Sequence, residues 1–81
     1  MNILIIGSEG SLGKSLKNYF VKIKSVNTIY CIDKIEPSKT YKKVIFKRID
    51  LSKNNKKIYL IKKKIDIALI LSFNLNFKEM N

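Results

Sequence analysis

The stretch NILIIGSEGSLG, residues 2 to 13, constrains this chain more than any other. A near-continuous apolar run ends at Gly7, and glycines recur at 7, 10 and 13. A strand that is apolar on both faces belongs inside a parallel sheet covered by other layers. From Ser11 to about Lys24, the apolar residues Leu12, Leu16, Tyr19 or Phe20, and Ile23 recur at helical spacing, with Lys14, Lys17, Lys22 and Lys24 on the remaining faces. This predicts an amphipathic helix directly after the glycine turn. Strand, turn and helix N-terminus in that order make an anion-binding corner. The first helical amides have no acceptor of their own, and the helix dipole favours negative charge there.

Two phosphate chemistries use such a corner. A triphosphate loop needs Gly, four residues and then Gly-Lys-Ser/Thr, because a fixed ring size lets successive amides wrap one phosphate. Counting back from Gly13-Lys14-Ser15 puts that first glycine at position 8, which is Ser8; Gly7 lies one residue too far. A dinucleotide turn needs a glycine leaving the strand, another where the helix meets the pyrophosphate, and a third where the helix packs on the sheet. Gly7, Gly10 and Gly13 fit those roles in order. It also needs an acid about twenty positions on, at the tip of the second strand, to accept hydrogen bonds from a ribose. Asp33 closes the run TIYCID and supplies it.

The remaining chain continues the alternation. Thr28 to Ile32 is β-branched and apolar and stops at Asp33, and the polar KIEPSKTYKK with Pro37 follows as a loop. Val44 to Ile49 reads as a third strand ending at Asp50. Ser52 is placed to cap a short lysine-rich helix with Ile58, Ile61 and Ile65 on one side, its Lys56-Lys57 and Lys62 to Lys64 clusters solvated. Ile67 to Leu71 reads as a fourth strand. Right-handed crossovers place such strands in the order 3-2-1-4. At 81 residues the chain is one domain of modest core, about half of a large α/β domain.

Charge is the other conspicuous property. Lys and Arg number 17 against 6 Asp and Glu, a formal +11, which in general raises the expectation of nucleic acid or an anionic surface. Only Arg48 among them is an arginine, whereas phosphate and base recognition favours the planar guanidinium. Lys, Ile and Asn are together abundant, as AT-rich coding favours, and no ladder of exposed aromatics is expected, Tyr19, Phe20 and Phe46 being assigned to the core. The reading is therefore against nucleic acid. Cys31, the single cysteine, lies in an apolar run and reads as a small buried hydrophobe; without histidine, transition-metal ligation is not expected. No stretch has the length of a signal peptide core or of a membrane span, so a cytoplasmic protein is expected.

On ILIIGSEGSLGKSL and IYCID the chain resembles the start of the short-chain dehydrogenase/reductase superfamily, and the spacing of Gly7, Gly10 and Gly13 is similar to its extended epimerase/dehydratase branch. The likeness extends to FKRIDLSK, where the family's Asp-hydrophobic pair meets adenine, which carries over to Asp50 and Leu51, and to IDIALILSFN as the fourth strand. That strand ends in Leu71-Ser72-Phe73-Asn74, where the family has Ala-Ala or Asn-Asn-Ala-Gly. The resemblance implies a Rossmann-like α/β fold: a parallel sheet of about four strands with flanking helices, a truncated half of a doubly wound domain. It implies Gly7, Gly10, Ser11, Leu12, Gly13, Asp33, Asp50 and Leu51 as cofactor-binding residues. NAD is the expected cofactor, because the Asp33 carboxylate repels a 2′-phosphate, with Lys34 softening the preference and leaving NADP as the variant.

The family's Tyr-x-x-x-Lys pair follows a fifth strand, and the expectation is an N-terminal portion lacking that catalytic half. Tyr30 with Lys34 and Tyr59 with Lys63 match the spacing by coincidence in a chain rich in both, so no catalytic residue is assigned. The plain structural alternative makes Gly7 an ordinary turn, Gly13 a close helix-sheet contact, and Asp33 and Asp50 strand ends. Two other functions stay open: a P-loop kinase or ATPase with Lys14 on the phosphates and Ser15 on Mg²⁺, and a basic nucleic-acid module. An apolar fourth strand at the sheet edge also predicts self-association.

Overall fold

The computed structural model describes residues 1–50 and 64–71. Their order is β1 (Asn2–Ile6), α1 (Ser11–Phe20), β2 (Thr28–Asp33), β3 (Val44–Arg48) and β4 (Ile67–Ile70). The four strands form one sheet in the order β3-β2-β1-β4, and every pair is parallel. The expected strand order therefore holds, in a parallel α/β arrangement with one helix among the described residues. Leu51, the lysine-rich helix expected after Ser52, Tyr59, Lys63 and the segment Ser72-Phe73-Asn74 lie outside the described residues.

Register and side-chain alternation explain the core. Ile3 and Ile5 of β1 align with Ile29 and Cys31 of β2 and with Ile67 and Leu69 of β4. These share the face on which Leu16 and Phe20 of α1 pack, joined by Val21, Ile23 and Val26 from the turn that follows. On the opposite face Ile6 and Ile32 pair across the strands and pack with Ile49 and Leu4. Period-2 alternation in two-sided apolar strands thus serves two layers at once. The start of β4 is pinned by Asp66, whose Oδ2 accepts from the Asn2 amide at 2.7 Å while its own amide donates to the Asn2 carbonyl at 2.8 Å.

The helix departs from the sequence expectation in length and in facing. It ends at Phe20, not near Lys24. Beyond Val21 the bonds are Lys22 N to Tyr19 O at 3.3 Å and Ile23 N to Phe20 O at 3.1 Å, a tightened three-residue pattern that turns the chain back toward β2. The β-branched Val21 and Ile23 gain more by packing on the sheet than by prolonging the helix. Of the expected stripe Leu12, Leu16, Tyr19 or Phe20, and Ile23, the residues Leu16, Phe20 and Ile23 pack on the core, while Leu12 and Tyr19 do not and Gly13 and Lys17 take their place on the buried face. Leu12 is 58% exposed and Tyr19 61%, so Tyr19 is not a core residue, whereas Phe20 and Phe46 pack against the core. Lys17, assigned to a solvated face, is only 4% exposed.

Gly13 sets this facing. A Cβ there would lie 2.1 Å from the Gly7 carbonyl oxygen and 2.8 Å from the Ser8 Cα, so α1 rides directly on the turn. Only a residue without a side chain permits that approach. Hydrophobicity patterns do not register glycine as an interior residue, which is why the stripe read from sequence has Leu12 where the packed face has Gly13.

Candidate functional site

Parallel strands bring all their carboxyl ends to one edge of the sheet. Gly7, Asp33, Ile49 and Leu71 meet there through bonds from Gly7 N to Ile32 O at 2.8 Å, from Ile49 N to Asp33 O at 3.0 Å and from Leu71 N to Ile6 O at 2.8 Å. In open α/β sheets this edge, at the point where strand order reverses, is where ligands settle. Here β1 has β2 on one side and β4 on the other, and the glycine turn leaves β1 at that reversal.

Gly7 takes φ of 90°, a left-handed conformation that a side chain would strain. The turn closes with Gly10 N on Gly7 O at 3.4 Å, and α1 starts with Lys14 N on Gly10 O at 2.9 Å. Gly10 is the N-cap residue, with no side-chain cap bond, and the first turn carries no acidic residue. The amides of Ser11, Leu12 and Gly13 precede the first intrahelical donor and so have no acceptor within the helix. Gly10, Ser11 and Leu12 are exposed, so this end of α1 faces solvent.

Asp33 lies at the same corner. Its Oδ2 accepts the backbone amide of Glu9 at 2.9 Å, and its Oδ1 accepts that of Ile35 at 3.2 Å, an Asx-type turn that starts the loop after β2. A carboxylate has about four acceptor positions, so two further donors can be met on its half-exposed side. The structure thus brings Gly7, Gly10, Ser11, Leu12, Gly13 and Asp33 to one corner. Asp50 is next to it, lining an open depression of about 450 Å³ with Lys34, Ile35 and Arg48 beyond the ends of β2 and β3. Arg48 donates from Nε to the Lys34 carbonyl at 3.2 Å, which holds the wall of that depression together.

Three polar residues beneath the turn were not singled out by the sequence. Ser8, Glu9 and Lys17 are all buried. Lys17 Nζ donates to Glu9 Oε2 at 2.7 Å, and Ser8 Oγ donates to the same oxygen at 2.8 Å. A signal for this pair existed. Position 17 sits four residues after Gly13 and three before Phe20, so a lysine there falls on the helix face that packs, and such a lysine requires a nearby acid. Glu9 is the acid in reach. Cys31 lies beside this cluster, and burial pushes its thiol up to about 11, against the opposing pull of Lys17 and the Ser8 hydrogen bond. A thiol so raised stays protonated and unreactive at neutral pH.

The two sequence alternatives also have places here. Lys14 is exposed and lines a cleft of about 200 Å³ between α1 and the loop after β2, with Asn18, Lys39 and Tyr41. Ser15 Oγ donates to the Ser11 carbonyl at 3.1 Å. Tyr41 Oη donates to Asn18 Oδ1 at 2.8 Å and closes the far wall of the cleft. Comparison with family models, curated proteins and solved structures finds no match to this chain.

Proposed function

We propose that this chain is a dinucleotide-binding portion of an NAD(P)-dependent enzyme of the short-chain dehydrogenase/reductase or epimerase/dehydratase kind. The observation that carries the reading is the junction of Asp33 with the turn: a carboxylate at the tip of β2 bonded to the Glu9 amide at 2.9 Å, beside a helix end with no capping side chain. The chemistry of the donor set suits the ligand. A diphosphate needs several N–H donors and no local negative charge, and the turn offers the amides of Ser11 to Gly13 with no acid in the first turn of α1. A ribose needs a carboxylate that accepts from its hydroxyls, and Asp33 keeps acceptor positions for it. Asp50 and the depression it lines would take the adenine. NAD supplies hydride transfer when bound, and the residues named here bind and orient it without exchanging a proton. No catalytic residue belongs to this reading.

Isothermal titration with the 81-residue chain tests it. NAD is expected to bind, NADP more weakly because its 2′-phosphate meets Asp33, and Asp33→Asn should weaken NAD by about tenfold while narrowing the difference from NADP. Lys14→Ala should leave NAD affinity nearly unchanged. Binding of ATP·Mg²⁺ with neither NAD nor NADP, lost on Lys14→Ala, would replace the reading with a triphosphate site.

A further inference from the structure

A glutamate is an unexpected residue in a turn that faces an anion. Glu9 is one position from the Gly10 cap, yet its side chain is only 2% exposed, and Lys17 and Ser8 both donate to one of its carboxylate oxygens. Helix geometry makes the contact natural. Side chains lean toward the helix N-terminus, so a lysine in the second turn of α1 reaches back toward the residue preceding the cap. The pair therefore ties the turn to the body of the helix, eight residues apart in sequence. Glu9 is also the residue whose amide Asp33 accepts, so its main chain is held by β2 and its side chain by α1.

From this double attachment we infer that Glu9 and Lys17 are positioning residues, an internal ion-pair lock that fixes the glycine turn against α1 and neutralises the carboxylate one position before the Gly10 cap. The inference rests on the dinucleotide reading for the identity of the anion, and on geometry alone for the lock. A buried ion pair contributes little net stability compared with a well-packed apolar pair, but removing one partner strands the other charge in the interior. Its value here is a single orientation of the amides from Ser11 to Gly13. Without Lys17, the Glu9 carboxylate has to reach solvent, and the open space it already lines is the cleft it shares with Lys14, Asn18 and Lys39, so the turn that carries it has to shift toward that cleft.

The test compares Lys17→Met with the doubly neutral Glu9→Gln/Lys17→Met, using amide hydrogen exchange residue by residue and NAD titration on the 81-residue chain. Lys17→Met should speed exchange at Glu9 and Gly10 by at least about tenfold with the Ile29 to Ile32 amides unchanged, and should weaken NAD by a similar factor. The double variant should return most of both losses, because Gln still accepts from Ser8 and no charge is stranded. A single variant that fails to fold beside a double variant that folds also supports the lock. Unaltered turn exchange in Lys17→Met overturns it, as does equal loosening in the two variants or loss of fold in both. Absence of NAD binding by the unaltered chain would sink the dinucleotide reading alone, since the exchange data still decide the lock.

Discussion

Gly13 and Cys31 show how much single positions under the turn control. An alanine at 13 would drive its Cβ to 2.1 Å from the Gly7 carbonyl oxygen, a contact with backbone that no rotamer relieves. Gly13→Ala should therefore cost about 3 kcal/mol or more in urea denaturation, at the upper end of overpacking changes. Cys31 carries a pH dependence of definite sign. Its thiol is raised from 9.0 to about 11 in the folded protein, so the stability it contributes is complete below pH 9 and is lost as pH rises through 11. The unfolded chain releases the proton first, and stability falls with pH wherever the folded state holds more protons. Between about pH 8 and about pH 11 the fall attributable to this group is roughly 2 kcal/mol. It is read as the difference in slope between the unaltered chain and Cys31→Ala, which isolates this group.

At the N-cap of α1, helix stability and the proposed dinucleotide binding pull in opposite directions. Gly10 takes φ of −72° and ψ of 168°, an extended conformation open to any residue, yet it supplies no capping side chain. An aspartate there would satisfy one orphan amide and complement the dipole, so Gly10→Asp should raise unfolding free energy by about 0.5 kcal/mol. The same carboxylate would occupy the amides proposed to meet the diphosphate. NAD affinity should then fall by at least about tenfold while the thermal midpoint rises. A helix end left uncapped for stability alone would show the rise without the fall. Among the strands, β1 and β2 are covered on both faces, whereas β3 is exposed at Ile45, Lys47 and Arg48, as suits its outer place in the sheet.

Considered as one body, the chain combines a strongly cationic surface with an apolar strand at the end of its sheet. Among the described residues β4 pairs only with β1, and Ile70 is 54% exposed. We propose self-association through this strand. Sedimentation should show a concentration-dependent oligomer that Ile70→Lys shifts toward monomer, because a charge on an edge strand opposes pairing. The formal +11 gives a separate expectation. Any retention on DNA should be of the non-specific kind, lost between about 50 mM and about 200 mM salt, and a sequence preference surviving that range would restore the nucleic-acid alternative. No helix among the described residues is long and apolar enough to cross a membrane.

Strand positions and their order were legible in the chain because the apolar runs ending at Gly7 and Asp33 leave few other ways to satisfy a backbone that is buried on both faces, while the mixed run Val44 to Ile49 suits an outer strand beside them. The corner of Gly7, Gly10, Gly13 and Asp33 was legible for the same reason: parallel crossovers carry strand ends to one edge whatever the details of packing. The facing of α1 was not. It depends on how closely the helix approaches the turn at Gly13, and that approach brings Lys17 inside and leaves Leu12 and Tyr19 outside, against their hydrophobicity. The Glu9–Lys17 pair was legible only in part: the spacing from Gly13 to position 17 signals a lysine on the packed face, but the contact itself depends on that same close approach. Local patterns report what each residue prefers from its neighbours in sequence, whereas a buried charge is tolerated only where the fold delivers its partner, and that delivery is a property of three dimensions.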